Sequence, residues 1–141
     1  MGILDLLAVL KGQGQTDEVI VTGDLTVTGT SKTYKYSTAT GLTASTVQTQ
    51  AGGIVLSATS NEVTTVATVG NAATLPTGSA LGKLFHVVNR GANAMDIYPP
   101  SGHKFLQSSA DLAYRINSGQ EAVLRGIGST TWLARRVSVL T

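Results

Sequence analysis

The side chains that could do chemistry are few in this chain of 141 residues. It contains two histidines, His86 and His103, and no cysteine. A metal ion needs three or four protein ligands, and neither histidine belongs to an HExxH pattern that would bring two ligands onto one helix face. Asp96 is a third ligand that the two histidines could meet. We nevertheless interpret both as ordinary residues of a strand and a turn, and we predict no metal site and no cofactor.

Patterns for phosphate binding and for hydrolysis are incomplete. In TGSALGKL, three residues separate Gly78 from Gly82 where a phosphate-binding loop has four, and Leu84 stands where Ser or Thr would bind magnesium. No G-x-S-x-G turn is present to expose a nucleophilic serine. The carboxylates of the C-terminal half lie in separate segments, without the paired spacing of acid–base catalysis: Asp96, Asp111 and Glu121. The sequence therefore predicts a protein that is not an enzyme.

Composition indicates a structural β protein of one domain. Charged residues make up 13% of the chain and hydrophobic residues 42%, and this charged fraction is about half the usual one. Thr, Ser and Gly number 20, 12 and 16. Thr is common in strands and Gly in turns. The length excludes two large domains, and the lack of cysteine excludes a disulfide-stapled scaffold.

Residues 2–11 are predicted to form a short N-terminal helix. One apolar face has the i, i+3, i+4, i+7 spacing and consists of Ile3, Leu6, Leu7 and Leu10. The run is far shorter than the roughly 20 apolar residues of a membrane span, so no membrane partner is expected. A helix this short is stable only when it packs against something. It either folds back on the chain's own β core or acts as an anchor at an interface, docked on another protein or bundled with copies of itself.

After the helix the pattern changes to period two. The segment VTGDLTVTGT indicates short strands separated by Gly turns, and we predict that residues 1–36 are a helix and an extended β arm for anchoring and oligomerisation. Residues 37–81 contain one charged side chain, Glu62. We expect short strands and neutral loops there. Such a surface is either buried in an assembly or solvated by Thr hydroxyls, and we favour burial.

Residues 37–141 are predicted to form an all-β body. Turn signals lie at 91–93, at 99–102 and at 117–119, and the last has a hairpin-like sequence. Spacings of about 8–12 residues between turns are typical of an antiparallel sandwich or jelly roll. Parallel βαβ architecture is excluded because no second helix is available for the crossovers. The expected core residues are Leu84, Val87, Ile97, Tyr98, Leu112, Ile116, Val123, Leu124, Trp132 and Leu133.

Basic residues gather in the C-terminal part of the chain. From residue 82 onward there are seven Lys and Arg against three carboxylates. They are spread over several strands and loops rather than clustered with aromatics, so we predict no direct nucleic-acid partner. Arginine suits bidentate contacts with carboxylates. Arg135 and Arg136 are therefore the candidate residues for docking to an acidic partner protein.

The run from Gly53 to Trp132 resembles β-rich structural proteins of tailed bacteriophages, of the head-decoration and fibre types. The likeness is carried by GGIVLSATSNEVTTVATVGNAATLP, HVVNRGANAMDIYPPSGHKF and EAVLRGIGSTTWLARR. The resemblance implies a structural virion protein on the outer surface of a capsid, which binds the major capsid protein and stabilises the lattice. It also implies a homo-oligomer, with a trimer favoured and a dimer possible, made in the host cytoplasm.

A second hypothesis is a tail- or fibre-associated module that recognises the host by binding glycans. VTGDLTVTGT is similar to strand repeats that lead into trimeric phage fibres. A glycan site needs an exposed aromatic platform, and the candidate rings are Tyr34, Tyr36 and Trp132. The chain is short and has no extended repeat array, which favours the decoration hypothesis.

Overall fold

A computed structural model describes residues 36–137, which form ten β-strands in two sheets and no helix. The larger sheet has the spatial order β1 (Thr38–Thr43), β3 (Ser60–Thr65), β5 (Leu84–Asn89), β9 (Glu121–Gly126), β10 (Thr131–Val137) and β7 (Lys104–Phe105). The smaller sheet has the order β2 (Ile54–Val55), β4 (Asn71–Thr74), β6 (Met95–Tyr98) and β8 (Tyr114–Ile116). The predicted helix, with Ile3, Leu6, Leu7 and Leu10, lies outside the described residues.

From β1 to β6 the chain alternates between the two sheets, and each strand from β3 onward pairs in parallel with the strand two before it. Thr38 lies beside Ser60, which lies beside His86, so successive coils take 22 and 26 residues. Parallel pairing requires a long crossover. Here a strand of the other sheet, rather than a helix, provides it. The result is a β-solenoid-like stack of three coils.

The prediction of an antiparallel sandwich or jelly roll is therefore wrong, although the all-β prediction is confirmed. Turn signals mark where strands end, but they do not determine which strands pair, and a stack of coils has the same turn spacing as an antiparallel meander. The predicted hairpin-like turn at 117–119 joins β8 to β9, which belong to different sheets. The lack of a second helix argues against βαβ units, but it does not exclude parallel strands that are joined by a strand of the other sheet.

Of the strands that follow the three coils, β8, β9 and β10 form antiparallel pairs, and β7 pairs in parallel with β10. β9 pairs with β5 and β10 pairs with β9, while β8 pairs with β6 in the smaller sheet. The loop between β9 and β10 is a true hairpin, in which Ile127 N donates to Thr131 O at 3.0 Å. This hairpin extends the larger sheet beyond the coils, so its surface is wider than that of the smaller sheet.

The apolar core lies between the two sheets. Trp132 is fully buried, and its ring packs at 5.9 Å from that of Phe85. The predicted core is confirmed at five positions that are fully buried: Val87, Ile97, Ile116, Leu124 and Trp132. It is wrong for Leu84 and Leu112, which are 42% and 54% exposed. Tyr98, Val123 and Leu133 are half-buried.

Buried amides connect the turns of successive coils. The Asn89 side chain is fully buried, donates to Asn93 O at 2.9 Å and accepts from Gly91 N at 3.0 Å. Asn93 Nδ2 in turn donates at 2.9 Å to Val66 O in the preceding coil. A buried amide without partners costs about 1–3 kcal/mol. The Asn89 bonds fix the turn after β5, and the Asn93 bond attaches this turn to the preceding coil.

Replacing Gly126 by alanine is expected to destabilise the fold strongly. A Cβ at Gly126 would overlap the carbonyl oxygen of Ala80, which is backbone and has no rotamer to move to. Gly128→Ala is the matched control, because its Cβ would lie 3.6 Å from Thr131 Cβ, an ordinary contact. In urea denaturation we expect a loss of about 3 kcal/mol for Gly126→Ala and less than about 1 kcal/mol for the control. Equal stability of the two variants would contradict the close approach.

Candidate functional site

The outer face of the larger sheet carries apolar and basic side chains side by side. In the strand register, Leu84 lies opposite Arg125, Arg125 opposite Leu133, and Val123 opposite Arg135. Side chains of directly paired residues point to the same side of a sheet. These five residues line a shallow depression of about 380 Å³. We call this surface the basic face.

Strand alternation explains why these side chains point outward. In β9, Ala122 and Leu124 are fully buried, so Val123 and Arg125 must point to the other side. Val123 therefore lies on the outer face although it is apolar. Leu84 in β5 alternates in the same way with the buried Phe85. The two sheets enclose one interior, but β5 and β9 carry apolar residues on both faces. The apolar residues on their second face therefore lie on the outside.

The carboxylates among residues 36–137 are all engaged within the fold. On the outer side of the larger sheet, Glu62 Oε1 accepts from Arg90 at 2.9 Å, and Glu121 Oε1 lies 2.7 Å from His86 Nδ1. On the smaller sheet, Asp96 accepts two hydrogen bonds from the Arg115 guanidinium, at 2.7 and 2.8 Å. The hydrogen bond to Asp96 raises the pKa of Arg115. The fourth carboxylate is Asp111, described below.

Three cations have no polar partner of any kind within residues 36–137. The side chains of Arg125, Arg135 and Lys104 make no hydrogen bond or ion pair with any other residue of the 36–137 range. Lys104 pairs with Thr131 in register, next to the inward-facing pair of Phe105 and Trp132. Lys104 therefore points outward, at the edge of the same surface. All three unpaired cations thus lie on one face of the molecule, beside exposed apolar groups.

Arg135 and Arg136 are adjacent in sequence, but the structure separates them. Arg135 lines the basic face. Arg136 points to the opposite side of β10, where its Nη2 donates to Arg115 O at 2.8 Å and its guanidinium lies 5.8 Å from the centre of the Tyr114 ring. Arg136 is therefore held by the protein's own groups, whereas Arg135 has no polar partner among residues 36–137.

The two histidines serve different structural roles. His86 contacts Glu121 on the outer side of the larger sheet, and His103 is buried, where its Nδ1 accepts from Trp132 Nε1 at 3.3 Å. Within the described ranges, no group of three His, Cys, Asp or Glu residues is placed to hold a metal ion. No helix of this part of the chain is long and apolar enough to cross a membrane.

The aromatic platform predicted for a glycan site is not assembled as expected. Trp132 is fully buried against Phe85, so its ring cannot stack on a sugar. Tyr36 is 71% exposed. Tyr34 lies outside the described residues. The prediction is therefore wrong for Trp132, because the period-two pattern of β10 turns this residue inward.

A second depression, of about 440 Å³, lies beside the ends of β2 and β4 and includes Gln50, Pro76 and Pro100. Gln50 Nε2 donates to Asp111 Oδ1 at 3.1 Å, and Gly102 N donates to the same oxygen at 2.7 Å. These two hydrogen bonds, the one from Gln50 with the larger effect, lower the pKa of Asp111. Asp111 has a φ of 64°, which is unusual for a residue other than glycine. The hydrogen bonds hold its loop against the first coil.

Comparison with known proteins finds no family model, no curated protein and no solved structure that matches this chain. The resemblance of residues 53–132 to phage structural proteins therefore stays a prediction. The sequence analysis named Arg135, which the structure places on the basic face, and its contact with a partner stays a prediction. It did not name Arg125 or Lys104. Arg125 alternates with buried residues in β9, and Lys104 precedes the buried Phe105 in β7. This alternation identifies the two cations as outward residues only once the buried side of each strand is known.

Gln50→Ala is expected to raise the pKa of Asp111 towards that of an ordinary aspartate, because it removes the main hydrogen bond to the ionised carboxylate. Carboxyl chemical shifts measured by NMR across an acid titration would report this change. Gln48→Ala is the control, since Gln48 lies in the same loop but donates to Val69 O, at 2.8 Å. An unchanged Asp111 titration in Gln50→Ala would contradict the contact.

The same contact makes stability depend on pH in a defined direction. The pKa of Asp111 is lower in the folded chain than in the unfolded chain, so the carboxylate stabilises the fold above its ordinary pKa. This contribution is lost as the pH falls through the lowered pKa. We therefore expect the difference in unfolding free energy between wild type and Gln50→Ala to shrink in acid.

Proposed function

We propose that the chain is a structural virion protein that binds the outer surface of a tailed-phage capsid and stabilises the capsid lattice. The observation that carries the proposal is the basic face, where the unpaired cations of the described chain lie beside the exposed Leu84 and the half-buried Val123 and Leu133. Such a surface suits adhesion to another protein. The sequence resemblance of residues 53–132 to head-decoration proteins supplies the class of partner, the major capsid protein.

The two sheets differ in how their outer sides are covered. Ala72 of β4 is fully buried although it lies on the outer side of the smaller sheet. The loop after β1 covers it: Tyr98 Oη, on the same outer side, donates to Gln48 O at 3.3 Å. Backbone hydrogen bonds of 2.8 and 3.0 Å between Ser45 and Ala72 hold the start of this loop beside β4. The larger sheet has no such cover within residues 36–137. A protein with one adhesive side coats a surface and does not crosslink particles.

The size of the larger sheet's outer face supports binding in many copies. The sheet has six strands. With strands about 4.8 Å apart and about three outward residues about 6.7 Å apart along each, its outer face spans roughly 600 Å². Stable complexes bury about 800 Å² on each partner. One copy therefore binds weakly through this face alone. Binding becomes firm when copies linked in an oligomer engage a repeating lattice together.

Oligomerisation, as a trimer or alternatively a dimer, belongs to the same proposal. β1 pairs on one side with β3 and has no second strand neighbour among residues 36–137. Its sequence, TATGLT, carries no charge. Natural proteins protect such edges with charges or cover them. An uncharged edge supports the view that assembly covers this end of the stack.

The proposal is tested by adding the purified full-length chain to capsids that lack it, assembled from the major capsid protein encoded in the same genome. We expect co-sedimentation that saturates near one copy per capsid subunit. Leu84→Ser should weaken this binding about three- to tenfold, because it removes an apolar side chain from the basic face. Leu112→Ser is the matched control, since Leu112 is similarly exposed but is not among the residues that line that face.

Saturation at a few copies per particle, or attachment to tails alone, would overturn the decoration proposal. Equal binding by Leu84→Ser and wild type would show that a different surface makes the contact. Circular dichroism melts of both leucine variants check that the fold is intact, as expected for substitutions at exposed positions.

A further inference from the structure

We infer that the basic face binds an extended acidic segment of the partner protein, in which Arg125 and Arg135 each hold one carboxylate of a pair spaced two residues apart. This inference rests on the proposed function and specifies the chemistry of its partner. It is carried by the register of β9 and β10 and by the distribution of charges over the described chain.

The spacing of the two arginines matches an extended chain. Arg125 lies opposite Leu133, and Arg135 lies two residues further along β10, so the arginines are diagonal neighbours on adjacent strands. Diagonal neighbours in an antiparallel pair are about 7–8 Å apart. In an extended segment, residues i and i+2 point to the same side and are about 6.7 Å apart. Two carboxylates with this spacing therefore reach both guanidiniums at once.

The arginines are available for such contacts because no acidic residue of residues 36–137 competes for them. The two carboxylates nearest in the sheet, Glu62 and Glu121, are engaged with Arg90 and His86. A guanidinium presents a planar set of donors that fits a carboxylate in bidentate fashion. Lys104, on the outward side of the edge strand, adds a third positive charge. The surface is thus complementary in charge to an acidic segment.

The apolar side chains of the basic face, which form its floor, favour a protein segment over a nucleic acid as the ligand. Val123 and Leu133 are half-buried between the two arginines, and Leu84 adjoins them. Surfaces that bind single-stranded nucleic acid use exposed aromatic rings for stacking. Of the rings in these strands, Phe85, Phe105 and Trp132 are buried, on the inner side of the sheet. Apolar side chains on the same side of an acidic segment would instead pack on this floor.

A second copy of the chain is a poorer occupant of the face. Glu62 and Glu121, the carboxylates on its outer side, are already engaged, so two faces brought together would oppose unpaired arginines with no free acid from residues 36–137 to meet them. The area of the sheet's outer face, roughly 600 Å², is also below what a stable dimer buries on each partner. The occupant must therefore bring its own carboxylates.

The test uses the peptide Val-Thr-Asp-Thr-Asp-Thr-Val, which in extended form puts two carboxylates and two apolar groups on one side. Binding to the isotope-labelled full-length chain is measured by shifts of backbone amide signals in NMR titrations. The isomer Val-Thr-Asp-Asp-Thr-Thr-Val has the same charge with the wrong spacing, and an Asn-for-Asp version has no charge. We expect both control peptides to bind at least about threefold more weakly, as exposed ion pairs contribute modestly.

Protein variants then identify the side chains. Arg125→Gln together with Arg135→Gln should weaken peptide binding about tenfold. Arg136→Gln is the matched control: it removes the neighbouring guanidinium from the other side of β10 and should change the affinity less than twofold. Raising the salt concentration should weaken binding of the Asp peptide to the wild type but leave the Asn peptide unaffected.

Several results would overturn the inference. They are equal binding of the Asp and Asn peptides, equal binding of the two Asp isomers, an equal loss in Arg136→Gln, tighter binding of a DNA oligonucleotide, and a dimer that the double variant dissolves. The capsid assay separates failure of this inference from failure of the proposed function. If the double variant still binds capsids fully, the inference fails and the decoration role stands. If the wild type binds the peptide but no capsid, the decoration role fails and the acidic-segment site stands.

Discussion

The stacking of turns between coils is the constraint on which the rest of the structure depends. Gly91 lies so close to Val66 of the preceding coil that a Cβ there would come within 2.6 Å of the Val66 nitrogen. Asn89 and Asn93 supply the hydrogen bonds of the same region. Together they determine where β5 lies beside β3. Since β9 pairs with β5 and β10 with β9, the position of each later strand of the larger sheet follows from these turns.

Having one interior between two sheets determines which surfaces stay open. The loop after β1 covers the smaller sheet, so the fully buried Ala72 adds to the protected apolar surface. The larger sheet is widened by the β9–β10 hairpin, and its added strands carry Val123 and Leu133 on the outer side. In the described part of the chain the carboxylates are engaged by cations, an imidazole or amide donors, whereas Arg125 and Arg135 are not. Unpaired positive charge in the described part of the chain is therefore concentrated on the outer face of the larger sheet.

The sequence predicted the strands well and their pairing badly. Alternation in EAVLRGI and TWLARRV fixes the spacing of inward residues, and Leu124 and Trp132 are buried as expected. The same alternation cannot say which sheet a strand joins, because that depends on contacts such as Asn93 with Val66, made across 27 positions. The hydrophobicity of Leu84 and Val123 predicts that both belong to the core. Their outward orientation depends on Phe85 and Leu124 already occupying the inner side, a tertiary choice that local pattern does not contain.

The chemistry of the basic face depends in the end on the packing beneath it. Side chains alternate with a period of two, so a slip of one residue between β9 and β10 would turn Arg135 inward and Trp132 outward. Trp132 is fully buried, its ring packs on Phe85, and its Nε1 donates to His103. Moving a tryptophan side chain from this core into water costs several kcal/mol. An aromatic contact between β10 and β5, on the opposite side of the sheet, therefore helps to hold the register that sets the spacing of Arg125 and Arg135.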